Sequence, residues 1–170
     1  VVLLVFHKTF DGNWLFVYDD NHNFYEILEP SWANFEWFWK DGNVLGVWEP
    51  VSLTIKSAIV YFVGYEAGAW HAIVTCMHLM NSLMLYCVLM MVQDHIGGLC
   101  NGAKMMPIAA MLGAAFWATI PLSGQAVAWL SCCSYLFAFF FLMGSLICWL
   151  RSKRESNILK RILLYAMSVL

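Results

Sequence analysis

Charge is what this chain has least of. Only 12% of its 170 residues are Asp, Glu, Lys or Arg, about half the share that ordinary globular domains carry, which excludes a soluble domain with a solvated polar surface. Nine basic against eleven acidic residues leave a net charge of −2, so nucleic acid finds no electrostatic footprint here. Among six cysteines there is no C-x-x-C pair, the spacing that zinc and dithiol redox centres use. Cys76, Cys87, Cys132, Cys133 and Cys148 fall inside apolar runs, where a thiol behaves as a small hydrophobe. The chain also lacks an N-x-[Ser/Thr] sequon, an internal repeat and a low-complexity tract.

What is present is 62% hydrophobic and 16% aromatic, gathered into three long apolar runs: Ala69 to Val92, Met105 to Leu122 and Ala126 to Leu150. Each matches the ~20 residues with which an α-helix crosses a bilayer core. The expected fold class is therefore all-α: a polytopic transmembrane helix bundle with amphipathic interfacial helices in its first extracytoplasmic loop. As a single transmembrane domain over 1–170 it divides into the end of a first helix (1–7), a loop (8–68), spans at 69–92, 105–122 and 126–150, and the start of a further span (158–170). A start at Val1 without methionine and a stop inside an apolar stretch lead us to expect a piece of a longer polypeptide.

The loop has its own character. Between Lys8 and Pro50 lie most of the acids, with Trp14, Trp32, Trp37, Trp39 and Trp48, a combination suited to the membrane surface. Ser31 is placed to cap a short helix whose Trp32, Phe35 and Trp39, with neighbouring Phe38, make an aromatic face, and Pro30 and Asp41-Gly42-Asn43 bound it. Val51 to Gly64 is too short to span and carries Lys56, so it reads as a second interfacial or re-entrant helix. A polar turn at Asp94 to Lys104 and a tight one at Pro121 to Gln125 join the spans. Arg151, Lys153, Arg154, Lys160 and Arg161 follow the third run, and the positive-inside rule assigns 151–161 to the cytoplasm and 8–68 to the opposite side.

Two groups of residues can carry chemistry. Asp19 and Asp20 are adjacent carboxylates beyond the first helix; such a pair can bind a divalent cation or share a raised pKa and serve as a base, or it can simply mark a solvated loop. His71, Thr75, His78 and Ser82 recur at helical spacing with Asn81 beside them, one polar stripe on an apolar helix. Such a stripe faces the bundle interior, either lining a substrate cavity or making interhelical hydrogen bonds. The two histidines are two turns apart, ~10 Å by helix rise, too far to share one metal ion, so no metal centre is expected there. Glu49 and Glu66 stand at the outer boundary, where acids line an entrance or are merely solvated.

In order along the chain, Asp19-Asp20, Ser31-Trp-x-Asn-x-x-Trp37, Gly42-Asn43 leading to Trp48-x-Pro50, His71 with His78-x-x-Asn81, and Pro121-Leu-x-x-x-Ala126-Val-Ala-Trp129 resemble the transmembrane, tetratricopeptide-repeat-bearing glycosyltransferases, relatives of the protein O-mannosyltransferases. The resemblance implies a GT-C fold, an extracytoplasmic catalytic aspartate, and transfer of a sugar from a polyprenyl-phosphate donor to a hydroxyl acceptor. Asp19 or Asp20 would then be the base, with Glu49, His71, His78 and Asn81 on the substrate side. The chain departs from the family pattern where His-Pro-Leu-Thr becomes Glu49-Pro-Val-Ser52 and His-Pro-Leu-His becomes Ile120-Pro-Leu-Ser123. Isoleucine cannot replace imidazole electrostatically.

Two functional classes follow. One is a lipid-linked sugar transferase of the bacterial inner membrane or endoplasmic reticulum, whose partners are membrane lipid and the polyprenyl-phosphate sugar. The other is a non-catalytic scaffold retained to pack against other membrane subunits, which the missing histidines favour. An ion conductor fits poorly, because no acid or base lies in the middle of a span.

Overall fold

Helix ends in this chain fall where the sequence gives the backbone a reason to turn. The computed structural model describes residues 25–99 and 107–169, and these are mostly helical. A 3₁₀ turn, Tyr25–Leu28, leads into α1, Trp32–Lys40. Ser31 caps α1 from an extended backbone (φ −139°, ψ 153°), its Oγ accepting from the Asn34 N–H at 3.1 Å, which satisfies one of the helix's orphan donors. Trp32, Phe35 and Trp39 form the exposed aromatic face, with ring centroids 5.4 and 6.3 Å apart in succession. Phe38 does not join them. One residue of helix turns it ~100° away from Trp39, and it is buried in the core with Leu28 and Val44.

A close approach fixes the next turn: a Cβ on Gly42 would lie 2.7 Å from the Phe38 Cα and 2.8 Å from its carbonyl oxygen. The chain then forms a small antiparallel hairpin, β1 (Asn43–Val44) and β2 (Val47–Trp48), with Val44 opposite Val47. Leu45 and Gly46 connect them at φ 51° and 86°, the doubly left-handed turn that matches strand twist. Helix α2, Pro50–Val63, has proline in its first turn and Gly64 at its end, both placed as their backbones favour. It buries Leu53, Lys56 and Val60 along one face and exposes Tyr61 and Phe62. At 14 residues it is ~21 Å long, short of a bilayer core.

Helix α3, Ala67–Leu99, is the longest element at 33 residues. Glu66 caps it, accepting from the Gly68 N–H at 3.1 Å and the Ala69 N–H at 2.5 Å, with its charge at the positive end of the helix dipole. The helix runs past the polar turn expected from Asp94, because polarity ends a membrane span without ending a helix and no proline intervenes.

Beyond 106 the structure departs from the sequence reading. The span expected over 105–122 is helical as α4 (Pro107–Thr119), which gives way at Ile120, through a bend of 53°, to a second helix, α5 (Pro121–Ala128), that takes in the expected turn and the first residues of the run expected from 126. Proline lacks the N–H that would continue α4 but suits the first turn of a new helix, so the expected turn at Pro121 to Gln125 is itself helical. A 3₁₀ turn, Leu130–Cys132, follows, and α6 covers Cys133–Ser152 rather than starting at 126. Helix α7, Ile158–Val169, is capped by Asn157, whose Oδ1 accepts from the N–H groups of Leu159 and Lys160. It packs back along α6, where Ser145 Oγ donates to the Ser168 carbonyl.

Among the described residues two segments, Ala67–Asp94 and Leu130–Ser152, are long and apolar enough to cross a membrane, and the bent α4–α5 pair makes a third if counted as one. Packing divides in two along α3. Near its start Trp70 and Val74 join Leu28, Phe38, Leu53, Val127, Leu130 and Phe137, and further along Val88 meets Met143 and Leu150. Ala110, Ala114 and Ala118, each four residues on from the last, are the buried positions of α4, small side chains that let backbones approach closely.

Gly42→Ala is expected to lower stability by about 1–3 kcal/mol through overpacking against the Phe38 backbone, read as a lower unfolding temperature in detergent; an unchanged transition would contradict the close approach.

Candidate functional site

The polar stripe of α3 is buried: His71, Thr75, His78, Asn81 and Ser82 all lie inside. Much of it is spent on the helices around it. His78 Nε2 donates to the Ala118 carbonyl at 3.0 Å and Asn81 Nδ2 donates to the Leu136 carbonyl at 2.9 Å, while Ser82 Oγ turns back within α3 to the His78 carbonyl at 2.8 Å. The His78 ring also meets Trp117 at 5.0 Å, and Trp117 stacks on Phe139 at 4.5 Å and 15°. Spacings of three and four residues that gather polar groups on one face thus tie α3 to α4 and α6.

A second constellation lies where the hairpin and α2 meet the start of α6. Lys56 is wholly buried on α2, and its Nζ donates to Glu49 Oε1 at 3.2 Å; the Glu49 side chain keeps 22% of its exposure. Helical side chains lean toward the N-terminus, which is how a lysine two turns into α2 reaches the acid preceding it. Beside this pair the Ser52 and Ser134 hydroxyls are 2.8 Å apart, linking α2 to α6. A cavity of about 210 Å³ opens here, lined by Val44, Leu45 and Val47 of the hairpin, by Glu49, and by Trp129, Ser131, Ser134 and Tyr135. It is the size of a small polar group, and it offers a carboxylate and several hydroxyls between apolar walls.

Of the residues singled out in the sequence, Glu49 lines this cavity, whereas His71, His78 and Asn81 are buried along α3 and are not part of its lining. Glu66, a boundary acid, is occupied in capping α3. Asp19 and Asp20 lie outside the described residues, as does the end of the first helix expected over 1–7. Among the described residues no cluster of His, Cys, Asp and Glu has the arrangement of a metal site.

Lys56, Ser52 and the Trp129–Tyr135 segment escaped the sequence reading as site residues. Lys56 had a signal: a lone lysine in an apolar helix requires an acid, and Glu49 is seven residues back, on the same face. The Trp129–Tyr135 contribution depends on the break after α5, which periodicity conceals.

No protein-family model, curated protein or solved structure matches the chain.

Removing one partner of a buried ion pair leaves an uncompensated charge, whereas removing both does not. Glu49→Gln alone is therefore expected to destabilise by about 2 kcal/mol or more, and Lys56→Met combined with it to recover most of that loss. A thermal-unfolding double-mutant cycle showing additive effects would refute the coupling.

Proposed function

We propose that the chain is an integral membrane protein, a polytopic helix bundle of GT-C ancestry, acting on a sugar carried by a polyprenyl phosphate. Asp19 or Asp20 removes the proton of an acceptor hydroxyl. The acceptor oxygen then attacks the anomeric carbon, the bond to the phosphate oxygen breaks, and the lipid phosphate leaves with the electron pair, inverting the anomeric centre. Such chemistry asks mainly for a base, positioning and exclusion of water.

The observation that carries this reading is the cavity at Glu49. It lies between the hairpin and the start of α6, and α1, which precedes that hairpin, carries an aromatic face suited to headgroup depth. Glu49 occupies a position where the resembled family carries histidine. Paired with Lys56 it is close to neutral overall, which favours the hydroxyls of a sugar over a phosphate as what it holds.

A second reading, a scaffold subunit without turnover, is favoured by the hydrogen bonds of the α3 stripe. His78 and Asn81, nominated for substrate, engage backbone carbonyls of neighbouring helices, which is a packing role.

The readings divide on one assay. Transfer of radiolabelled sugar from polyprenyl phosphate is expected to fall by on the order of 10²-fold or more in Asp19→Asn or Asp20→Asn, with the membrane-inserted amount unchanged. Full activity in both variants removes the base assignment, and no transfer by the wild-type chain selects the scaffold.

A further inference from the structure

At the far end of α6, away from Glu49, a second cavity of about 360 Å³ opens between α6 and α7, lined by Ser152, Lys153, Arg161, Ile162 and Tyr165. Its two cations are unusual in their company. Arg154, between them in sequence, is neutralised by Asp94 at 3.2 Å and donates to the Met91 carbonyl at 2.9 Å. Lys153 and Arg161 form no ion pair among the described residues, and Lys153 Nζ lies 5.4 Å from the centre of the Trp149 ring. Two positive charges therefore line one cavity with no carboxylate in its lining among the described residues.

The depth of the cavity says what would balance them. Helix α6 has 20 residues, ~30 Å by helix rise, the thickness of a bilayer's hydrocarbon core. The basic cluster that ends it falls at the headgroup level, with Trp149 at the depth of the interfacial aromatic belt. Ile162 and the Tyr165 ring supply apolar surface next to the cations, suited to the glycerol and upper acyl region of a lipid.

We propose that this cavity binds the phosphate of an anionic phospholipid headgroup, held between Lys153 and Arg161. The proposal rests on the membrane-insertion half of the functional reading and is independent of sugar transfer. Phosphate supplied by lipid or in solution presents the same charge; the apolar floor beside the cations selects the lipid. Basic pockets between helices at the headgroup level bind lipid phosphates in this way.

The test is native mass spectrometry of the full chain in detergent, titrated in parallel with phosphatidylglycerol, with phosphatidylcholine and with inorganic phosphate. Phosphatidylglycerol is expected to be retained at least about tenfold better than phosphatidylcholine, since each basic residue near an anionic lipid contributes roughly fivefold. Lys153→Gln with Arg161→Gln removes that preference, the charge-preserving pair Lys153→Arg with Arg161→Lys keeps it, and Arg154→Gln leaves it intact. Equal phosphatidylglycerol retention by the neutralised variant overturns the proposal, as does displacement of the lipid by equimolar inorganic phosphate. Resistance to alkaline carbonate extraction is measured alongside. A wild-type chain that stays in the membrane yet shows no preference overturns this site while insertion stands, and a chain released by carbonate overturns both.

Discussion

Pro121 has no N–H to offer the Trp117 carbonyl, and the extended backbone of Ile120 ends α4 one residue after Thr119. The last carbonyls of any helix lack partners within it. Here the break brings that deficit into the interior, at Ala118, which is buried. His78 answers it: its Nε2 carries the proton that bonds the Ala118 oxygen, and its ring lies against Trp117. Without that imidazole the bend would leave a buried carbonyl unsatisfied at a cost of about 1–3 kcal/mol. Without the bend, α5 would continue α4 in a straight line, and the Trp129–Tyr135 segment would not swing beneath the hairpin. The loop-side cavity thus depends on a hydrogen bond between elements 40 residues apart.

The same logic governs the other polar groups in this apolar body. Asn81 donates to the Leu136 carbonyl, and Ser52 and Ser134 share a bond across α2 and α6. Lys56 is tolerable because Glu49 is within reach. Hydrophobic contact alone is non-directional. These few directional bonds select one arrangement of greasy helices among many that would bury similar area, and each joins residues from different helices or from a helix and the residue preceding it.

Much of this was legible in the sequence, for identifiable reasons. Ser31 and Pro30 announced α1, and the length of Val51 to Gly64 announced a helix too short to span, because capping and length are local properties. The stripe from His71 to Ser82 announced an inward face, since a period of 3.6 fixes which residues share a side. What stayed hidden was set by tertiary context. The turn at Pro121 was legible, but hydropathy does not register that it is helical or that a second break follows at Trp129, because 126–150 is apolar on both sides of it. The hairpin has two residues per strand, fewer than alternation needs to show. Phe38 was assigned to the exposed aromatic face because its neighbours are aromatic, and only its angle around the helix separates it from them.

Glu49 and Ile120 deserve comparison because each immediately precedes a proline that opens a helix, α2 and α5 respectively. A helix N-terminus presents unpaired N–H groups and a partial positive charge, the natural place to hold an anion. At α2 the carboxylate of Glu49 caps no backbone N–H and turns instead to Lys56. An incoming phosphate would meet repulsion from a group that cannot withdraw without stranding a buried lysine. At α5, Ile120 offers no polar side chain at all. Neither proline-opened helix end therefore carries a side-chain donor for an anion: one stands beside a carboxylate and the other beside an isoleucine. A transferase built on this chain would have to manage its leaving phosphate with groups elsewhere, whereas a scaffold needs no such group.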